Sequence, residues 1–136
     1  NQCKHNLNYW KYGDYIGIGC GAHSKITTNQ ETMVITRYEK HKTPKAYLMA
    51  PEHQHNKREV IKEDIIFEYM LNKLRLYEPI IEKDMQARTS MTYKDIACEI
   101  IEAEKQGLIL KSNDIIHKTK KGNDFLNDLQ AQFLTV

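Results

Sequence analysis

No apolar run in this chain approaches the roughly 20 residues that a bilayer-crossing helix needs. Nor is there a basic n-region leading into the apolar h-region of a secretory leader. Cysteine is scarce: Cys3, Cys20 and Cys98 are odd in number, widely spaced, and contain no CxxC pair. That argues against a disulfide framework and against a structural zinc site, so a reducing cytoplasm is the expected compartment. Charge of one sign is lacking too. Twenty basic against 18 acidic residues leave a formal net charge of +2, too little to imply a polyanion partner by itself. No initiator methionine opens the chain, which makes a piece of a longer protein the expectation. Internal repeats and low-complexity segments are likewise missing. What remains is 136 residues, 40% hydrophobic and 28% charged. That is a globular composition, long enough for one domain with a core or for a small domain plus part of another.

The apolar period changes along the chain. Residues 1–42 read as β: "YIGIGC" alternates Ile16 and Ile18 with glycines, and "TMVITRY" is rich in β-branched and aromatic residues. The polar "TTNQE" between them predicts a strand pair running back on itself. Thr43 followed by Pro44 predicts a short helix over "TPKAYLMA", and "PEHQHNKRE" reads as an exposed loop. From Glu63 the period is helical. Phe67, Met70, Leu71 and Leu74 form one stripe before Pro79. Thr92 with Asp95 makes a capping-box-like start to a second helix that carries Tyr93, Ile96, Ala97 and Ile100, and Gly107 closes it. "LILK" and "IIHK" read as a tight hairpin across "SND". A last helix from about Thr119 is expected to bury Phe125, Leu126, Leu129 and Phe133. The expected fold is therefore α+β, with a winged-helix-like unit at its end.

Several short patterns invite a chemical reading. Gly17, Gly19 and Ala22 match a G-x-G-x-x-A dinucleotide fingerprint, but turn and strand follow where a helix is required. On a strand, Gly17, Gly19 and Gly21 would share one bare face, open to a ligand or another backbone, or simply tightly packed. His53 and His55 form an "HQH" pair with no third ligand nearby in sequence, which reads as a solvated loop before it reads as a metal site. His23 and Ser24 are adjacent, yet no G-x-S-x-G elbow accompanies them. "HKTKK" (117–121) would make a basic wing for a nucleic-acid binder. Against this, the 92–106 helix carries Asp95, Glu99, Glu102 and Glu104 against only Lys94 and Lys105, an acidic face that repels phosphate. No nucleic-acid partner is expected.

"CKHNLNYWKYGDYIGIGCGAHSK" resembles the segment found in HemW-type haem chaperones, radical-SAM proteins related to the oxygen-independent coproporphyrinogen III oxidase, HemN. The resemblance runs on through "RYEKHKTPKAYL", "FEYMLNKLRL" and "GLI…KTKKGNDFLNDLQAQFL". HN-x-x-YW is its most specific block and sets the chaperone-like group apart from the oxidase. Ser24 departs from the pattern, which has glycine after Ala-His. The resemblance implies a C-terminal third of such a protein. Residues 1–42 would be the last strand or strands of a radical-SAM barrel with a hairpin, 43–62 a connecting segment, and 63–136 a helical C-terminal domain. The parent would bind haem and hand it to acceptors such as respiratory proteins; coproporphyrinogen oxidation is the alternative activity. Its [4Fe–4S] cluster and S-adenosylmethionine belong to a CxxxCxxC motif further upstream, a spacing that Cys3, Cys20 and Cys98 cannot supply. This chain alone therefore carries no radical chemistry. Gly19, Gly21 and His23 would lie toward the S-adenosylmethionine or substrate side, at the C-terminal rim of barrel strands. A histidine hydrogen-bonded within a loop is the plainer reading of His23.

"HNLNYW" is the candidate haem site. His5 offers an imidazole to the iron, Tyr9 and Trp10 offer flat apolar surface, and Asn6 and Asn8 can orient a histidine or a propionate. Cys3 would share a face with His5 if the run is extended, which makes it the second candidate ligand. On residue chemistry alone a surface histidine with Tyr9 and Trp10 as packing anchors is the simpler reading; the resemblance reverses that preference. Two further expectations concern assembly. Strand edges in residues 12–38 would recruit a second copy by dimerisation or strand exchange, and the parent would associate peripherally with a membrane.

Overall fold

In this computed structural model, residues 3–29, 31–50 and 56–134 are described. They form two compact units: Asp14–Ile61, and residues 3–13 taken with the described residues from Lys62 onward.

The first unit is a three-stranded antiparallel sheet in the order β1-β2-β3, with β1 His23–Asn29, β2 Met33–Glu39 and β3 Asn56–Glu59. β1 and β2 pair over their full length, from His23↔Glu39 to Asn29↔Met33. Helix α2, Pro44–Met49, follows β2, and the Thr43 hydroxyl accepts from the Ala46 N–H as an N-cap. Two expectations need correcting. "YIGIGC" is not a strand: only Tyr15 bridges, to Lys25, and the chain then turns through Gly19 (φ 104°) and Gly21 (φ 68°). Glycine's freedom at positive φ wins there over the β propensity of the two isoleucines. Ile16 and Ile18 are left 76% and 87% exposed. Residues 56–59, read as loop, instead add a strand to β2, with Arg37 opposite Arg58. All four of its side chains are exposed, so no alternation betrayed it.

Few apolar side chains are buried in this unit. Ile35 is fully buried and Val60 nearly so, beside the polar Ser24, Lys25 and Thr36. A buried ammonium needs a partner, and Lys25 reaches Asp14 at 3.1 Å. Asp14 also accepts from the backbone N–H and the hydroxyl of Thr27, both at 2.8 Å. One carboxylate thus clips the approach segment onto β1.

The second unit is built on α3, Lys62–Lys73. Its buried positions Ile65, Ile66, Tyr69 and Met70, with Leu74 just beyond, form a helical face one step round from the expected stripe. Phe67 and Leu71 flank it half-buried. The stripe missed Lys73, whose buried side chain pairs with Glu78 at 3.6 Å. After Pro79 come β4 (Ile80–Ile81) and α4 (Glu82–Thr89), a helix that buries only Met85 and Thr89 and so shows no apolar stripe in sequence. Thr92 N–H donates to the Asp95 carboxylate at 2.8 Å, but the pair closes a turn and does not cap the helix, whose N-cap is Ile96 with no side-chain hydrogen bond. A turn at 93–96 intervenes before α5, Ala97–Lys105. Gly107 (φ 71°) ends α5 as expected. Its N–H donates to Glu104 O, and that of Leu108 to Ala103 O, the paired bonds of a Schellman motif. The hairpin β5 (Ile109–Ser112) and β6 (Ile115–Lys118) turns through Asn113 and Asp114, and β4 joins it in the order β4-β6-β5. The last helix is broken into α6, Lys120–Asp124, and α7, Leu126–Ala131, at Phe125 (φ −112°, ψ 46°). The break leaves Phe125 52% exposed and Leu126 half-buried, while Leu129 and Phe133 enter the core.

Two outcomes follow for stability. Desolvation alone would raise the Asp14 pKa, but the Thr27 hydrogen bonds and Lys25 outweigh it and hold the carboxyl below its usual value. The ionised form therefore stabilises the fold above the ordinary aspartate range, near about 4, and that contribution is lost as pH falls through the lower folded value. Asp14→Asn should lower stability at pH 7 and flatten the acid limb of a pH-dependent melting curve. The Tyr69 hydroxyl is buried with no hydrogen-bond partner among the described residues. Tyr69→Phe should therefore leave urea stability unchanged or raise it by up to about 1 kcal/mol.

Candidate functional site

The run "HNLNYW" is helical, not extended: α1 spans Lys4–Trp10. Its local signals are weak. Cys3 at the N-cap makes no side-chain hydrogen bond, and no acidic residue sits in the first turn. The helix is secured at its other end. Lys11 N–H donates to Leu7 O, Tyr12 N–H to Tyr9 O and Gly13 N–H to Asn8 O, again the Schellman pattern. Here the left-handed residue is Tyr12 (φ 59°), where glycine is usual. A bulky residue in that region is strained, and what Tyr12 gains offsets the strain. Its ring is 2% exposed, meets Tyr69 of α3 edge-on at 6.0 Å between centroids, and its hydroxyl donates to Glu68 at 3.0 Å. At Gly13 a Cβ would lie 2.1 Å from the Asn8 side-chain oxygen and 3.1 Å from its backbone oxygen, so a larger residue there would displace the Asn8 side chain. Lys11 adds an ion pair to Glu78 at 3.6 Å.

Tyr12 is thus the anchor of the segment, a role sequence reasoning gave to Tyr9 and Trp10. Both of those are half-buried, so part of each ring stays accessible. Asn6 and Asn8 are exposed and Leu7 is half-buried. The helical backbone removes the condition that placed Cys3 beside His5, since residues two apart on a helix do not face each other. Cys3 is exposed, and the side chain of His5 lies outside the described residues. Positions 5 and 9 are one turn apart, as are Asn6 and Trp10. The available signal for Tyr12 was the "YG" step directly after the aromatic run, the place where a helix would stop.

The second constellation is the glycine turn. Gly17 needs to be glycine because a Cβ would sit 2.3 Å from the His23 carbonyl oxygen, so the close approach there is by backbone. The Gly17 N–H also donates to the Ser24 hydroxyl at 3.0 Å, which gives Ser24, 6% exposed, a structural partner. A Cβ at Gly19 would meet nothing within 4 Å, so backbone conformation and not space calls for glycine. His23 opens β1 and is exposed. The segment leads into a strand, which leaves the dinucleotide fingerprint without its helix. His53 and His55 lie outside the described residues. Among those described, no group of three or more His, Cys, Asp or Glu side chains is placed to hold a metal. No described helix is long and apolar enough to cross a membrane.

In fold, the chain is similar to the Escherichia coli coproporphyrinogen III oxidase HemN, a radical SAM enzyme, with a TM-score of 0.57. The match is 18% identical and covers 90% of this chain and 29% of that one. The mixed α+β architecture is therefore HemN-like. In sequence, the heme chaperone HemW of Buchnera aphidicola (from Acyrthosiphon pisum) is 44% identical over 98% of the chain. That of Haemophilus influenzae is 41% identical over 98% of the chain. No family model matches. The chain is similar over nearly its whole length to these two HemW relatives and spans 34–35% of their length.

Loss of the Tyr12 anchor should be graded. Tyr12→Phe, which removes the bond to Glu68, should cost about 1 kcal/mol in urea denaturation. Tyr12→Ala should cost about 3 kcal/mol and reduce the helical circular dichroism. Equal, negligible losses in both would contradict the anchoring role.

Proposed function

We propose that this chain is part of a radical-SAM haem chaperone and carries the segment by which that protein binds haem before passing it to acceptors such as respiratory proteins. The observation that carries the reading is the 44% identity, over nearly the whole chain, to a relative named heme chaperone HemW. Oxygen-independent coproporphyrinogen oxidation is the weaker alternative, because the likeness to HemN, at 18% identity, supports fold alone.

In this reading His5 is the principal iron ligand and Cys3 the second candidate. Tyr9 and Trp10 pack against the porphyrin, and Asn6 orients the imidazole or a propionate. The exposed Cys3 and Asn6 and the half-buried rings of α1 fit such a role, since a porphyrin needs apolar surface that is not already consumed by packing. Haem would supply an iron that takes axial donors. Gly19, Gly21 and His23 would face the S-adenosylmethionine or substrate side of a barrel whose last strands lie in residues 1–42. Residues 43–62 would connect to a winged-helix-like domain over 63–136. The [4Fe–4S] cluster and S-adenosylmethionine would be held by the rest of the longer protein. A cytoplasmic site of action, peripheral membrane association and self-association through the strand edges of residues 12–38 complete the proposal.

The test is a haem titration of the full-length protein, followed by the Soret band, in His5→Ala beside Cys3→Ala. Loss of affinity and a shifted band in His5→Ala support the assignment. An unchanged His5→Ala spectrum and affinity would end it, and loss only in Cys3→Ala would move the role to the thiolate.

A further inference from the structure

The acidic face that argued against nucleic acid adjoins a recess that the haem reading does not use. Lys62 and Glu63 at the start of α3, Asp95 in the turn before α5, Glu99 in its first turn, and four apolar side chains line a recess of about 190 Å³. Ile66, Met91, Ile96 and Phe133 line its apolar part, each at most 5% exposed and so already fixed in the core. The rim is charged and asymmetric. Three carboxylates face one ammonium, Lys62, which is committed to Asp95 at 3.3 Å. The other Asp95 oxygen accepts from the N–H and hydroxyl of Thr92. Glu63 and Glu99 take part in no ion pair among the described residues. Each sits in the first turn of its helix, so they are the carboxylates at the mouth that no cationic side chain pairs.

Size and chemistry narrow the occupant. The space exceeds that of one water, about 30 Å³, and is floored by hydrocarbon. It is smaller than the roughly 300 Å³ at which pockets for small molecules and cofactors begin. A single apolar side chain fits it, as an anchor residue fits the pocket of a protein interface. The two carboxylates without a cationic side-chain partner favour a cation beside that anchor.

We propose that this recess docks a basic amphipathic segment of a partner protein, one apolar side chain entering between Ile66, Ile96 and Phe133 while flanking Lys or Arg side chains meet Glu63 and Glu99. The proposal is independent of haem binding. Docking of this kind is a helix-in-groove mode with a charged rim, in which the apolar anchor sets affinity and the rim sets register and salt dependence.

Fluorescence anisotropy with a labelled amphipathic Leu/Lys helical peptide tests it on the whole chain. Binding should weaken as salt rises. It should fall about tenfold in the Glu63→Lys, Glu99→Lys double variant and less in the milder Glu63→Gln, Glu99→Gln pair. Replacing the peptide's anchoring leucine by alanine should weaken binding about tenfold. Both protein variants alter rim residues only, and their circular dichroism should match the parent. Absence of peptide binding, equal binding by the charge-reversed protein, or indifference to the anchor substitution would each overturn the proposal. So would a concentration-dependent dimer in sedimentation that the double variant dissolves, because the recess would then belong to a second copy of the chain.

Discussion

Burial of one face of α3 is the constraint on which the second unit depends. Ile65, Ile66, Tyr69, Met70 and Leu74 cannot be left in water at the end of a helix that begins with Lys62, Glu63 and Asp64. α1, α4 and α7 all pack against α3. Two of these contacts add a different kind of bond: Tyr12, just past α1, its edge-on ring and hydroxyl, and Gln130 of α7 a side-chain N–H donated to Leu71 O at 2.7 Å. Of the buried polar groups on this face, Lys73 is paired with Glu78, while the Tyr69 hydroxyl has no partner among the described residues.

The sheet of the other unit rests on a different balance. With Ile35 and Val60 as its main buried apolar side chains, it relies on hydrogen bonds and on the Lys25–Asp14 pair. A pair with one exposed partner contributes modestly. Its larger effect is negative: without Asp14 the buried ammonium of Lys25 would lose the opposite charge 3.1 Å away.

Much of this was legible where one residue type has one physical use. Thr43 before Pro44, Gly107 after a helical stripe, "SND" between two apolar quartets and Thr119 ahead of the last helix each stand where the structure uses them, Thr119 accepting from Gly122 N–H. Failures cluster where tertiary contact overrides local preference. α1 has poor helix formers and no side-chain cap, and its end is fixed by a tyrosine that reaches α3, 56 residues away in sequence. α4 has too few buried positions to show a period, and β3 has none. At the candidate site, residue types suggested chemistry, but the extended geometry assumed for Cys3 and His5 was wrong. The lysine buried at position 25 left no trace, since its partner Asp14 comes from outside the strand.

The chain order of the two units has a kinetic consequence. Residues 14–61 form a unit of their own, inserted between α1 and α3, which belong to the other. Docking Tyr12 beside Glu68 and Tyr69 therefore closes a long loop, and closure entropy grows with the length of flexible chain enclosed. Once the inserted sheet has folded, much of that chain is no longer flexible and the closure is cheaper. The inserted unit thus acts as a clasp. Fraying of its three strands would restore slack to the loop and so raise the entropic cost of the closure that docks α1.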